Sequence, residues 1–208
     1  MFDDDNFVIL INSTKTLNFN NKNCNGLRNF TQPTFAHKSG FLRKEISAWT
    51  LDDFSKNMKI STKLSQLTYS YFHDDSQNYC RAFFAYSGLF FKQLELDKFD
   101  MEWVNKHVLI LDPLYGLLKS TDIIHPYRLD FYTQNLSVNL YDFWNDEIYK
   151  FLKDKKIYSL ASNEFTKLLQ GLNYIDISPT TSKQIKIARG QLLNKIIINK
   201  KIISQDKN

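Results

Sequence analysis

The feature that most constrains this chain is a set of short runs rich in β-branched and aromatic residues, at positions 7–11, 81–86, 107–111, 157–161, 174–178 and 184–188. Such runs read as strands, because branched and aromatic side chains pack well on a pleated, half-buried surface. Between them, Leu140, Phe143, Trp144, Ile148, Phe151 and Leu152 recur at steps of three and four, which predicts a helix over 140–153 with one buried face. Asp100 and Ser162 are placed to cap helices, since short oxygen-bearing side chains accept the orphan amides of a first turn. The expected fold class is mixed α/β (α+β), a central mixed β-sheet flanked by helices.

Thr50 and Asp53 stand three apart before a helical segment that Ile60 and Ser61 interrupt, which predicts a helix, a tight turn and a second helix over 51–72. Residues 18–40, rich in Asn and Gln with little periodicity, read as a long loop. There is no internal repeat and no linker that would divide the chain, so residues 1–208 read as a single domain whose last residues, 204–208, are frayed.

The chain is 43% hydrophobic and contains 17 Phe, 11 Tyr and 3 Trp, enough apolar material for an ordinary core, which excludes global disorder. Cys24 and Cys80 lie far apart, with neither zinc spacing nor a dense disulfide framework, and this fits a reducing cytoplasm. The start, MFDDDNFVILIN, is acidic where a signal peptide is basic. No apolar run approaches the roughly 20 residues of a membrane span. The expectation is a soluble, cytoplasmic protein without membrane contact.

Charge is uneven. Of the net +5, residues 183–208 carry seven bases against the single acid Asp206. A basic tail favours anionic partners such as nucleic acid, and Lys195, Lys200 and Lys201 are its candidate phosphate contacts. A solvated lysine-rich helix face gives the same pattern.

Three polar clusters follow apolar runs directly, and ligands of open α/β sheets collect outside the carboxyl ends of strands. In the first, Ser13-Thr14-Lys15-Thr16, Lys15 offers a point charge to a phosphate or carboxylate. In the second, His125-Pro126-Tyr127-Arg128-Leu129-Asp130, the Arg128 and Asp130 side chains share a side if the segment is extended, free to pair with each other or to grip separate ions. The third, Ser162-Asn163-Glu164, is a strand end entering a helix, where Ser162 reads first as a cap and Glu164 itself answers the dipole. Gly-rich phosphate loops, HExxH and nucleophile elbows are absent. The four histidines lack ligand spacing, and neither a metal nor another cofactor is expected.

At these clusters the sequence resembles the YaaA family, also called the peroxide stress resistance protein family. VILINSTKTLNF is similar to its N-terminal strand and lysine loop. LYGLLKSTDIIHPYRLDF is similar to its leucine-tyrosine-glycine and proline-tyrosine-arginine-leucine-acid motifs, and LYDFWNDEI, SLASNEF and IARG follow in the family's order. The resemblance implies a cytoplasmic bacterial protein with its own α/β fold, a positively charged cleft, a helix-hairpin-helix-like element, binding to duplex DNA of low sequence specificity, and a role in limiting oxidative DNA damage and free iron. It singles out Lys15, Tyr115, Gly116, Tyr127, Arg128, Asp130, Trp144, Ser162, Glu164, Arg189 and Gly190, and for the hairpin Lys56, Lys59 and Lys63. Turn amides and flanking lysines of such a hairpin would meet phosphates.

The chain also departs from the family pattern. A lysine-glycine-aspartate run is replaced by Ser87-Gly88-Leu89, Ser13 stands for a proline, Asn194 for a common arginine, and the usual extension beyond Lys201 is missing. The leading reading is a DNA-binding protein of the peroxide stress response. Its alternatives are an enzyme acting on a small anionic substrate in a cleft of Lys15, Tyr127, Arg128, Asp130 and Glu164, and a reduced member that has lost activity.

Overall fold

The computed structural model describes residues 6–20, 24, 30–74, 78–179 and 184–202. At its centre is β1 (Phe7–Asn12), paired in parallel with β3 (Val108–Asp112) on one side and β6 (Lys156–Ser159) on the other. β4 (Gly116–Lys119) adds antiparallel to β3, and β7 (Tyr174–Asp176) adds parallel to β6, giving the order β4-β3-β1-β6-β7. A strand covered on both faces reads as a continuous apolar run, and Phe7 to Ile11 are all buried. The predicted mixed sheet flanked by helices is the fold observed.

Parallel neighbours require long crossovers. The first carries α1 (Ala36–Ser47), α2 (Leu51–Met58), α3 (Thr62–His73), the two-residue strand β2 (Cys80–Arg81), the single turn α4 (Ala82–Ala85) and α5 (Met101–His107). After β4 come β5 (Ile123–Ile124), antiparallel to β2, and α6 (Leu140–Leu152). α7 (Asn163–Thr166) follows β6, and α8 (Ile185–Asn199) is the last element described.

Several local readings hold. Asp100 Oδ1 caps α5 by accepting from the amides of Glu102 and Trp103 at 3.1 and 3.2 Å. Thr50 and Asp53 form the reciprocal capping box of α2, with Thr50 N 2.9 Å from the Asp53 carboxylate. α6 presents Leu140, Trp144, Ile148 and Leu152 to the core. Gly116, at φ +70°, lies where any Cβ would meet the Trp144 ring at 2.5 Å, so the leucine-tyrosine-glycine stretch and α6 interlock.

Other readings are corrected. Of residues 81–86, only Arg81 is in a strand; residues 82–85 turn helically with every side chain buried, so aromatic richness served core packing rather than a ladder. Residues 184–188 enter α8, whose apolar positions are met by buried contacts at Leu192, Leu193, Ile196 and Ile197. The loop over 18–40 ends early, because α1 begins at Ala36. Cys24 and Cys80, which spacing left apart, are joined in a disulfide, because the fold brings their Cα atoms to 4.6 Å, and the cysteines therefore do not support the reading of a reducing compartment. The frayed stretch 204–208 lies outside the described residues.

The helical hairpin is docked onto the segment that follows β5. Phe54 of α2 packs between Trp49, Tyr69 and Phe72 at ring separations of 5.6 to 5.9 Å. Arg43 of α1 donates to the carbonyls of Tyr71 at 2.7 Å and Pro126 at 3.3 Å. Asn57 accepts from Gln134 N at 2.9 Å and from Asn135 Nδ2 at 2.7 Å. Residues 126–135 are thereby clamped between the hairpin and the sheet.

Candidate functional site

The carboxyl ends of β1, β3 and β6 lie side by side; the chain leaves β1 for β3 and β4 on one side and then crosses to β6 and β7 on the other, which makes the place beside β1 the switch point where α/β sheets open a crevice. A cleft of about 480 Å³ occupies this place. Its floor and first wall are Asn12 to Thr16, the residues that continue β1. Tyr127 to Asp130 form the second wall, Ser162, Glu164 and Phe165 the third, and Lys186 and Arg189 of α8 the fourth. The three clusters singled out in the sequence therefore meet.

Lys15 Nζ lies 2.7 Å from Asp130 Oδ2, an ion pair on the cleft wall. Asp130 thus pairs with Lys15 and not with Arg128, and the two alternate residues look to different partners. Arg128 Nε is buried and finds no hydrogen-bond partner among the described residues. Arg189 Nε donates to Ser178 Oγ at 3.0 Å, and partial burial lowers the pKa of its guanidinium, opposed by Asp176. Gly190 is where α8 touches the segment between α4 and α5: a Cβ there would stand 2.3 Å from the Phe90 carbonyl oxygen, so only glycine lets Arg189 approach this closely.

Behind the wall is a buried polar network that sequence reasoning missed. Asp112, fully buried, ends the apolar β3, and its Oδ1 accepts from the amides of Leu114 and Tyr115 at 2.8 and 2.9 Å. Its other oxygen accepts from Tyr86 Oη at 2.9 Å and from Tyr127 Oη, and the two hydroxyls are 3.0 Å apart. Ser13 is a further partner. Burial pushes the Asp112 carboxyl above its ordinary range against these hydrogen bonds, and burial beside Asp112 pushes both tyrosines well above theirs. The legible signal was an Asp closing an otherwise apolar strand run, VLILD.

Not every candidate reaches the cleft. Tyr115 lines a second cavity of about 160 Å³ beside Arg43 and His125, where its hydroxyl accepts from His125 N at 3.0 Å and burial raises it to about 12. Trp144 is buried under Gly116 with Nε1 donating to Pro113 O at 2.9 Å. Ser162 borders the cleft but makes no side-chain cap; its own amide donates to Asn12 Oδ1 at 3.2 Å, and the helix after it is a single turn. Leu89, half of the lost lysine-aspartate pair, is an exposed apolar rim.

The hairpin lysines Lys56, Lys59 and Lys63 are all exposed. Lys59 occupies the left-handed position, φ 52°, that ends α2, the place glycine usually takes. The amides of Lys59 and Ile60 both donate to Ser55 O, so these turn amides are consumed within the hairpin. On the tail, Lys195 and Lys201 are exposed, whereas Lys200 is tied to Asp100 at 2.6 Å. No three His, Cys, Asp or Glu side chains group as metal ligands, and no helix is long and apolar enough to cross a membrane, among the described residues.

A sheet with parallel strands at its centre and a cleft at their carboxyl ends, lined by both basic and acidic side chains, defines an α/β protein with a polar crevice at the switch point. The chain belongs to the peroxide stress protein YaaA family, whose model matches residues 7–206. It is 33% identical over 187 residues to a UPF0246 protein of Clostridium botulinum strain Eklund 17B, covering 82% of this chain and 72% of that one. A UPF0246 protein of Rickettsia rickettsii strain Iowa is 32% identical over 173 residues, covering 78% and 69%.

Proposed function

We propose that this family member serves the peroxide stress response in the cytoplasm by binding duplex DNA through phosphate contacts, limiting oxidative damage to it. The observation that carries the reading is the hairpin: two capped helices locked by Phe54 present Lys56, Lys59 and Lys63 to solvent on adjacent turns. Because the amides of Lys59 and Ile60 are spent on Ser55, affinity rests on lysine point charges, which read no base pattern. Lys195 and Lys201 add charge, while Lys15 and Lys200 are engaged with Asp130 and Asp100. Restraint of free iron is the companion part of this reading and is tested apart, by measuring chelatable iron in peroxide-treated cells with and without the gene.

Fluorescence anisotropy with a short labelled duplex over a salt series tests the DNA reading. Log affinity is expected to fall linearly with log salt, at a slope near −0.9 per phosphate neutralised. A Lys59→Glu/Lys63→Glu variant should bind more weakly and with a flatter slope. An unchanged variant, or no binding at low salt, overturns the reading.

A further inference from the structure

The cleft is a different place from the hairpin surface, and its chemistry asks for a different ligand. Four cationic side chains, Lys15, Arg128, Lys186 and Arg189, face two carboxylates, Asp130 and Glu164. The excess of two positive charges is held in a recess of about 480 Å³, inside the roughly 300–1,000 Å³ of ordinary small-molecule sites. Lys15 is matched to Asp130, so the unmatched charge sits on the side of Arg128 and α8. Arg128 lines the recess, with its Nε buried in the wall and without a hydrogen-bond partner among the described residues. The exposed Leu89, with Phe90 beside α8 at Gly190, Phe91 and Phe165 next to Glu164, supplies the apolar part of the lining.

We propose that the cleft binds a phosphate monoester carrying a flat, nucleotide-sized body. The dianionic phosphate would lie against Arg128, Lys186 and Arg189, and the body against Phe90, Phe91 and Phe165. A dianion matches the double charge excess, and guanidinium forks suit phosphate oxygens. A diester of the DNA backbone carries one charge per phosphate and runs in both directions from it. Ser13 and Tyr127 are held by Asp112 behind the wall, so the site is formed before the ligand arrives.

Isothermal titration of the full chain with adenosine 5′-monophosphate, adenosine and inorganic phosphate tests the proposal. The monophosphate is expected to bind at least about tenfold more tightly than adenosine or inorganic phosphate, a difference of roughly 1.4 kcal/mol or more. Arg128→Ala should lower its affinity by about tenfold or more, as fits the loss of a charge-assisted contact. Lys186→Glu, at an exposed position of α8, gives the same reading should the first variant fold poorly, and Lys150→Glu on α6 should change nothing. Equal binding of nucleoside and monophosphate, or affinity unmoved by both cleft variants, overturns the proposal. So does displacement of the monophosphate by a duplex with 5′-hydroxyl ends, which would make the cleft a backbone site. Loss of duplex binding in the hairpin variant bears on the DNA reading alone.

Discussion

Lys15 and Asp130, 115 positions apart in sequence, close a 2.7 Å ion pair on the wall of the cleft. Lys15 keeps nearly half of its side chain exposed, so solvent screens the pair and its worth in stability is small. Lys15→Met is expected to cost less than about 1 kcal/mol in chemical denaturation. A larger loss would mean that the pair carries the cleft wall.

Asp112 is the opposite case. Asp112→Leu strips the acceptor from two tyrosine hydroxyls and two backbone amides at once, and should destabilise by about 3–5 kcal/mol in urea unfolding. Asp112→Asn keeps an acceptor and removes the buried charge, and should be far milder.

The same carboxylate sets a pH dependence. Its folded pKa is raised by burial, so the folded state holds the proton more tightly than the unfolded chain. The penalty is absent below the ordinary value of 3.8 and grows as pH rises from there through the raised folded value. Stability of the native protein relative to Asp112→Asn should therefore fall across that window and level off above it. A difference that stays flat with pH would show the carboxyl is not perturbed.

Gly190→Ala places a methyl 2.3 Å from the Phe90 carbonyl oxygen, and backbone must yield. Overpacking of this kind costs about 1–3 kcal/mol, and the thermal midpoint should drop accordingly. Gly40, which has open space at its Cβ position, should accept alanine with no loss, and as a helical position should gain up to about 1 kcal/mol.

The Cys24–Cys80 bond encloses α1, α2 and α3. Closing a loop of 56 residues is worth up to about 4 kcal/mol in the chain-entropy account. Thiol reduction, or Cys24→Ser, should lower the thermal midpoint, and the native protein should show no free thiol before reduction. Equal midpoints with and without reductant would remove the bond from the stability of this fold.

Elements whose signal is local were legible in the residues alone. The buried apolar run of β1, the capping box at Thr50, the Asp100 cap and the three-and-four spacing of α6 all depend on neighbours within a turn or a strand. The clusters around Lys15, Arg128 and Glu164 were legible for the same reason, each being a polar group set directly after an apolar run. Partners that lie far along the chain were not legible. That Asp130 takes Lys15, that Asp112 gathers Tyr86 and Tyr127, that Cys24 meets Cys80 and that Lys186 and Arg189 complete the cleft follow only once parallel strands bring their ends together. Residues 81–86 and 184–188 show the same limit from the other side, because short apolar runs carry no period of their own and tertiary packing chose helix for them.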